Sequence, residues 1–426
     1  MKNIFITLIV LCIVHSLAIA QTPQYNPVTV DISRRLSKDL LGNNSTGFLT
    51  PLVTTSNATV NSRFFRSAYI PKKSEKIYFR FGIHGMTGTV RDDQKSFTPV
   101  SPVGSKNDEF NSATRAFTTL SQTKDTTGLI YGIIRYLFAS GLEDPTSGIT
   151  FPSSSPTVFG NGTGSLTLNS DYFKKQVQGG DPLLTLAFNQ LSAEQQTLIL
   201  NTLTSLPKSF PLPTGGNISQ VYAGVPQLEI GSFLGTELLL RFIPPVQLDK
   251  NIGDFSFFGI GLKHSISQYI EDSPLDIAIQ GVYQITNIKQ IVGVTKAELN
   301  ADANIYNMNL QFSKKIKNIT SWFGDLEVFG GYSFEQFNIE SSYTYTLPVT
   351  LQKELGLMTD INGEIAADPA NGFPGDTQPQ VSKGAIEDTN HKGILGIAKS
   401  IGPVTIAIDY SISKFNLLSL GIDYTF

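Results

Sequence analysis

The segment that most restricts the fold is the last one. Leu418, Leu420, Ile422, Tyr424 and Phe426 alternate with Ser419, Gly421, Asp423 and Thr425, and the chain stops on an aromatic residue. Period-2 alternation fits a strand whose two faces meet different surroundings, one oily and one polar. Earlier segments repeat the pattern. Val404, Ile406, Ile408 and Tyr410 oppose Thr405, Ala407 and Asp409; Leu326, Val328, Tyr332 and Phe334 oppose Glu327, Ser333 and Glu335. Tyr306, Met308, Leu310 and Phe312 oppose Asn307, Asn309 and Gln311, while Ile77, Phe79, Phe81 and Ile83 oppose Tyr78, Arg80 and His84. One such strand suits any half-buried sheet; a long series of them requires a large sheet with a continuous apolar face.

The amino terminus adds a destination. Met1-Lys2-Asn3, an apolar run from Ile4 to Val14 and the small residues Ala18-Ile19-Ala20 have the form of a secretory signal cut before Gln21. The run is too short to span a bilayer. The only cysteine, Cys12, lies within it, so the mature chain has no disulfide and no lipid anchor on sulfur. Beyond the signal no stretch supplies the apolar length of a spanning helix; the longest candidate, Gly128 to Ala139, is interrupted by Arg135.

An exported chain with an apolar sheet face and an aromatic carboxy terminus reads as a closed antiparallel transmembrane β-barrel in the bacterial outer membrane. Composition agrees: 16% charged residues, with 37 glycines, 15 tyrosines and 28 phenylalanines, suits lipid-facing strands with interfacial aromatics. Ile422, Tyr424 and Phe426 form the expected assembly signal for the barrel-assembly machinery. Removal of residues 1–20 takes one lysine and no acid from 32 basic and 35 acidic residues, which leaves −4. That balance gives no reason to expect nucleic acid as a partner.

If Phe426 marks the periplasmic end, parity directs every strand. Asn416 to Phe426 runs inward, Val404 to Ser411 outward, Gly393 to Lys399 inward, Leu326 to Glu335 outward, Tyr306 to Ser313 inward and Leu275 to Ile285 outward. Phe255 to His264, Thr236 to Ile243 and Tyr222 to Ile230 follow, and the strand at Ile77 opens the barrel. An even total then allows ten, twelve or fourteen strands, because residues 91–215 are too irregular to count. The expected organisation is a signal peptide at 1–20, a periplasmic or plug segment at 21–75 and a barrel at 76–426. The barrel carries a partly helical insertion at about 91–215 and a long extracellular loop at about 346–392.

Two segments have helical rather than stranded spacing. Ile32, Leu36 and Leu40 follow Asp31 as an N-cap and precede Gly42 as a stop, which predicts a short plug helix. Ser192 and Gln195 have capping-box spacing ahead of Thr197 to Leu203, and Pro207 ends that element. Asn44, Asn57, Asn161, Asn217 and Asn318 begin Asn-x-Ser/Thr triplets, as a chain rich in those residues produces by chance.

Chemistry is sparse. His84, His264 and His391 stand at no metal-ligand spacing, there is no Gly-x-Ser-x-Gly elbow, and His264 and Ser265 point to opposite faces of one strand. No enzyme, cofactor or metal site is expected. What remains are charges on the polar faces, expected in the lumen: Glu229, Glu237, Arg241, Lys263, Glu327, Glu335, Asp409 and Asp423. Glu237 and Arg241 share a face but lie roughly 13 Å apart along the strand, so each needs a partner on a neighbouring strand.

Val225 to Gly231, Gly235 to Pro244 and Gly259 to His264 resemble the signature block of an uncharacterised family of Gram-negative outer-membrane barrels, and Pro156 to Gly160 resembles another piece of it. That resemblance implies the fold and no activity. More distantly the layout is similar to long-chain fatty-acid transporter barrels, with Asn26-Pro27-Val28 standing where those have Asn-Pro-Ala; that likeness implies fourteen strands and a periplasmic amino-terminal plug. Two function classes stay open. One is transport or binding of a small amphipathic or hydrophobic molecule, gated near Asp31 to Leu41. The other is a non-transporting barrel that anchors or scaffolds a surface or secretion-associated partner. Expected partners are outer-membrane lipid, the assembly machinery and, for transport, the hydrophobic ligand.

Overall fold

The computed structural model describes residues 25–64, 66–71, 77–123, 125–249, 253–292, 297–317 and 324–426; the signal-peptide expectation falls outside them. Ten antiparallel strands close into one barrel. They are β1 (Tyr78–Thr89), β2 (Gln220–Phe233), β3 (Thr236–Asp249), β4 (Gly253–Ser265), β5 (Asp276–Val292), β6 (Ala297–Ile316), β7 (Leu326–Tyr345), β8 (Gln380–Ile401), β9 (Val404–Ile412) and β10 (Leu417–Thr425). Each pairs with its neighbour in sequence, and β1 closes on β10 from Arg80↔Thr425 to Thr87↔Leu418. Phe426 completes that seam: its backbone exchanges hydrogen bonds with Phe79 at 2.9 and 3.0 Å and its ring stacks on Phe79 at 5.8 Å. Ten is the smallest of the three totals parity allows, since only β1 precedes Tyr222.

The strands differ in length, and the difference follows side-chain chemistry. From β5 to β8 they run 17, 20, 20 and 22 residues, against 9 each for β9 and β10. On β6 the outward residues from Tyr306 through Met308, Leu310 and Phe312 are apolar and exposed, whereas Asn304, Asp302 and Glu298 above them are polar. The inner face does the reverse: Asn307, Asn309 and Gln311 give way to Ile305, Ala303 and Ala301. On β7 the change falls between Glu335 and Phe337 inside and between Phe334 and Gln336 outside. One strand therefore has the alternation of a membrane barrel below and of a soluble sheet above. The outer stretch from Tyr306 to Ile316, apolar but for Lys314 near its lower end, is roughly 34 Å along the strand and roughly 25 Å tall once tilted, which matches a hydrocarbon belt.

Insertions gather at the end opposite Phe426. Between β1 and β2 lie α2 (Lys106–Thr123), α3 (Thr126–Glu143), α4 (Ser170–Lys175), α5 (Pro182–Asn189) and α6 (Ala193–Thr204). Ser192 caps α6 and Gln195 completes the capping box. A further helix, α7 (Val349–Glu354), stands between β7 and β8. Because β8 begins at Gln380, the β7–β8 connection ends well before the expected Lys392. Arg135, which breaks the apolar run in the sequence, lies on α3 and keeps that helix at a polar junction. Among the described residues no helix is long and apolar enough to cross a membrane.

The amino-terminal helix α1 (Pro27–Val60) corrects two expectations. It is 34 residues long rather than short, with Asn26 as N-cap and Pro27 in the first turn, so Asp31 and Gly42 are interior positions. Gly47 also lies inside it and gives room to the Phe97 ring, which a Cβ would meet at 2.5 Å. Apolar residues continue past Gly42 at Phe48, Leu49 and Val53, and they pack on Ala301, Ile305, Phe337 and Ile386 of the raised wall; that burial sustains the helix through Gly42 and Pro51. Its start also lies at the end opposite Phe426, among the insertion helices, so it enters the barrel from that end, whereas the expected plug lay at the Phe426 end.

Candidate functional site

Ile32, Leu36 and Leu40, expected as plug residues, do not enter the lumen. They are at most 1% exposed and pack with Ile130, Ile133, Leu137, Phe173 and Leu203 as the core of a helical cap. Arg135 on α3 ties this cap together, reaching Asp39 of α1 at 2.6 Å and Glu109 of α2 at 2.7 Å. Tyr131 donates to the same Asp39 at 2.5 Å. Arg34 reaches Asp376 at 2.7 Å and so binds the β7–β8 connection to α1.

Burial beside Asp39 raises the Tyr131 hydroxyl above its usual range, and burial with the hydrogen bond to Asp181 raises Tyr136. Both side chains are neutral in the fold. Below the ordinary tyrosine value of about 10 both states are protonated, and the stabilisation is complete; above it the unfolded chain ionises first and stability falls. The cap should therefore loosen as pH rises beyond about 10. Proteolysis of the α2–α3 region between pH 8 and 11 checks this: Tyr131→Phe should flatten the profile, and an unchanged profile would refute the assignment.

The lumen is filled by the second half of α1 and the segment that continues to Pro71. Most charged wall residues meet a specific group of that segment or of a neighbouring strand. Arg241 of β3, fully buried, donates to the Val60 carbonyl at 3.0 Å, the Ser62 carbonyl at 2.7 Å and Gln227 at 2.8 Å. Its guanidinium carbon lies 3.9 Å from the Phe64 ring centroid, a cation–π contact. From β8, Lys392 donates to the Ala58 carbonyl at 2.7 Å and pairs with Glu335 at 2.7 Å, both side chains fully buried. The last carbonyls of α1 have no intrahelical partner. Arg241 and Lys392 satisfy them from the wall and place positive charge at the negative end of the helix dipole.

The opposite sign appears where the segment itself carries cations. Arg63 pairs with Asp409 of β9, and Arg66 lies 3.9 Å from Asp423 of β10. Asp423 also holds His84 of β1 at 2.9 Å. Gly421 has no side chain at this point because none would fit: an added Cβ would stand 2.0 Å from Arg63 Nη2. Lower in the barrel Glu237 pairs with Lys263 and with Arg80 at 2.8 Å, Arg80 also pairs with Glu229, and Tyr78 donates to Glu237 at 3.0 Å. Lys263 donates to the Ser67 carbonyl at 3.3 Å. Glu237 and Arg241 thus have separate partners, as their spacing requires. Glu327 is half-buried near the Phe426 end.

Neutral amides line much of the rest, beside an apolar cluster of Leu239, Val282, Phe329, Ala398 and Ala407 around Phe64. Asn307, Asn309, Gln311 and Gln280 hydrogen-bond one another at 2.6 to 3.2 Å, and Asn307 reaches Asn61 of the plug at 3.2 Å. Asn57 of α1 donates to Asp388 at 2.8 Å. Space is correspondingly small. Between Glu229, Glu237, Lys263 and Gln280 no water-sized volume is open. The apolar crevice where Leu49, Leu52 and Val53 meet Ala301, Ile339 and Ile386 leaves about 20 Å³, room for about one water.

The sequence reading missed Arg63, Arg66, Lys392, Asp388 and Asn57. Lys392, Asn390 and Asp388 do share one strand parity and could have been found by extending β8 upstream. Arg63 and Arg66 lie in irregular backbone and leave no periodic signal. Ile422, Tyr424 and Phe426, read as the assembly signal, all face outward and are half exposed or more. His264 is hydrogen-bonded to Thr236 at 2.8 Å, Tyr269 at 2.9 Å and Gln268 at 3.0 Å. Among the described residues no group of His, Cys, Asp and Glu could hold a metal.

Comparison with solved structures finds weak likeness, and ten strands replace the fourteen that the transporter likeness implied. OccD3 (OpdP) of Pseudomonas aeruginosa is 11% identical with a TM-score of 0.15 over 48% of this chain, which spans 56% of that protein. OccAB2 of Acinetobacter baumannii is 9% identical, with a TM-score of 0.09 over 51% of this chain and 85% of its own. OprD of P. aeruginosa is 13% identical, with a TM-score of 0.09 over 51% and 76%. No curated protein matches. The sequence does match a family of unknown function, DUF6588, over residues 1–426, and the chain belongs to that family.

Proposed function

We propose that this protein is an outer-membrane barrel whose lumen is sealed at rest by its own amino-terminal segment, and that it serves to hold the helical cap at the cell surface as an anchor or scaffold. The observation that carries this is the repeated pairing of described residues between 57 and 67 with the wall: Asn57, Ala58, Val60, Asn61, Ser62, Arg63 and Ser67 each bond an inward side chain, Val60 and Ser62 sharing Arg241. A freely open pore would leave those charges to water; here each is matched to protein. The outer-membrane assignment is supported by the apolar outer belt, and with the Phe426 end periplasmic the cap stands outside.

A second reading has one observation in its favour. The wall behind the plug is polar, with Gln227, Gln280, Gln284, Asn307, Asn309 and Gln311 facing inward, so a displaced plug would uncover a water-compatible lumen. Gating would then involve residues 48–71 and not Asp31 to Leu41.

Two measurements test the first reading. Gln178→Cys, on the exposed surface of the cap, should react with an impermeant maleimide on whole cells, and Glu271→Cys, in the β4–β5 connection, only after permeabilisation. The reverse pattern would invert the orientation. Purified protein in liposomes should pass small dyes no faster than empty liposomes; steady dye flux through the unmodified protein would replace the sealed barrel with the transport reading.

A further inference from the structure

The barrel wall is incomplete in one place. β1 and β2 pair from Tyr78↔Gly231 to Thr89↔Gln220, and β3 and β4 from Thr236↔His264 to Asp249↔Gly253. Between β2 and β3 the ladder runs only from Phe233↔Thr236 to Gln227↔Arg241. Above that level residues 220–226 of β2 and 242–249 of β3 have no partners on each other. Both facing edges carry proline, Pro226 on β2 and Pro244 and Pro245 on β3, and proline cannot donate to a ladder.

The lower end of the seam lies at membrane height. Pro226 and Phe242 each stand seven or eight residues above the Leu234-Gly235 turn, roughly 20 Å up a tilted strand, within the upper half of the belt. Its outer lips are Tyr222 and Phe242, 71% and 59% exposed, with Gly224 between them open to the outside. Behind it lies an apolar cluster, Met86, Val225 and Phe257 with Ala223, Ile243 and Val60 packed on them. Elsewhere at membrane height the inner wall is charged or amide-lined except for a second apolar cluster, Leu239, Val282, Phe329, Ala398 and Ala407 around Phe64, which lies behind paired strands. Here an apolar interior is separated from the hydrocarbon only by side-chain contact across unpaired strands.

We propose that the β2–β3 seam is a lateral binding site for a single hydrocarbon chain, which enters from the membrane and lies against Met86, Val225 and Phe257. Widening the seam breaks no β2–β3 ladder hydrogen bond, because none is made above Gln227↔Arg241. An added peptide strand is a poor occupant, since the prolines withdraw donors from both edges and the site faces lipid. The chain could belong to a membrane lipid or to a free amphiphile. The inference rests on the outer-membrane reading, and its test separates the two.

With the single tryptophan replaced (Trp322→Phe), a reporter is introduced at Phe257→Trp behind the seam, at Leu420→Trp on the lipid face or at Phe329→Trp on the inner face behind paired strands. Proteoliposomes of phospholipid brominated on the acyl chain form one arm, and detergent-held protein given brominated fatty acid forms the other. Quenching at Phe257→Trp should approach that at Leu420→Trp and exceed that at Phe329→Trp several-fold in at least one arm, and the arm that responds identifies the source. If Phe257→Trp behaves like Phe329→Trp in both arms, the site does not exist. No quenching at Leu420→Trp would instead defeat the membrane assignment. Should the tryptophan variants not assemble, Val225→Cys serves, because the mature chain has no cysteine. A lipid-linked maleimide should modify it several-fold faster than Ala407→Cys, and equal rates would overturn the proposal.

Discussion

Arg241→Met should lower the unfolding free energy of the barrel by about 3–5 kcal/mol, the cost of breaking a buried charged network on one side only. Methionine fills most of the space, so the loss is one of partners rather than volume. The Ser62 carbonyl, beyond the end of α1, would lose its wall donor, the Val60 carbonyl would keep only Gln284 at 3.3 Å, and Gln227 would lose one of its bonds. The matching control is Arg91→Met. That side chain is 50% exposed and pairs only with Asp93, and surface pairs of this kind are worth about 0–1 kcal/mol. Urea unfolding of both variants in detergent, followed by the loss of heat-sensitive electrophoretic mobility, makes the comparison. Equal midpoints would mean that the plug contributes nothing to the barrel.

The same network shows why double replacement would not rescue the fold. A buried ion pair exchanged for apolar residues is often neutral, which would apply to Lys392 and Glu335 if they had only each other. Lys392 also donates to the Ala58 carbonyl, and Glu335 accepts from Asn390 at 2.7 Å. The pair is one part of the joint between wall and helix terminus. Wall cations meet plug carbonyls and wall acids meet plug arginines, so the segment is held at both its backbone and its side chains.

How much of this was legible depends on periodicity. Alternation is a local property, and it located the membrane half of every strand from Tyr222 onward together with the inward parity of Glu229, Arg241, Lys263 and Asp409. It failed where the environment changes along one strand. Residues 297–305 and 336–345 alternate as well, but with the apolar side turned inward, and a reading that expects one phase ends the strand at the change. The plug failed for a different reason. Ile32, Leu36 and Leu40 gave a helical stripe, yet spacing says that a face is buried and not what buries it. Their partners, Ile130 and Leu203 among them, lie far away in sequence. Asp31 and Gly42 resembled a cap and a stop by residue type, and tertiary packing past Gly42 overrode both. The unpaired β2–β3 edges do have a signal, in Pro226, Pro244 and Pro245, but it becomes meaningful only once the register is known.

The change of phase gives the other large effect. Leu310→Arg puts a charge on the outer face of β6 inside the apolar belt and should cost about 2–4 kcal/mol near the bilayer middle. Glu340→Arg also puts a cation on the outer face, on the neighbouring strand β7, but above the level where Tyr306 and Phe334 end the belt; its cost should be about 0–1 kcal/mol. Glu340 stands opposite Asp302, so exchanging the acid for a base also removes a repulsion between like charges. Both positions face outward, both are exposed and both receive the same side chain, so only the medium around them differs. Folding titrations into lipid vesicles measure the two costs directly. A penalty at Glu340→Arg as large as at Leu310→Arg would put the raised wall inside the membrane; its apolar inner face, packed on Phe48, Leu49 and Val53, would then have to be explained without a soluble sheet.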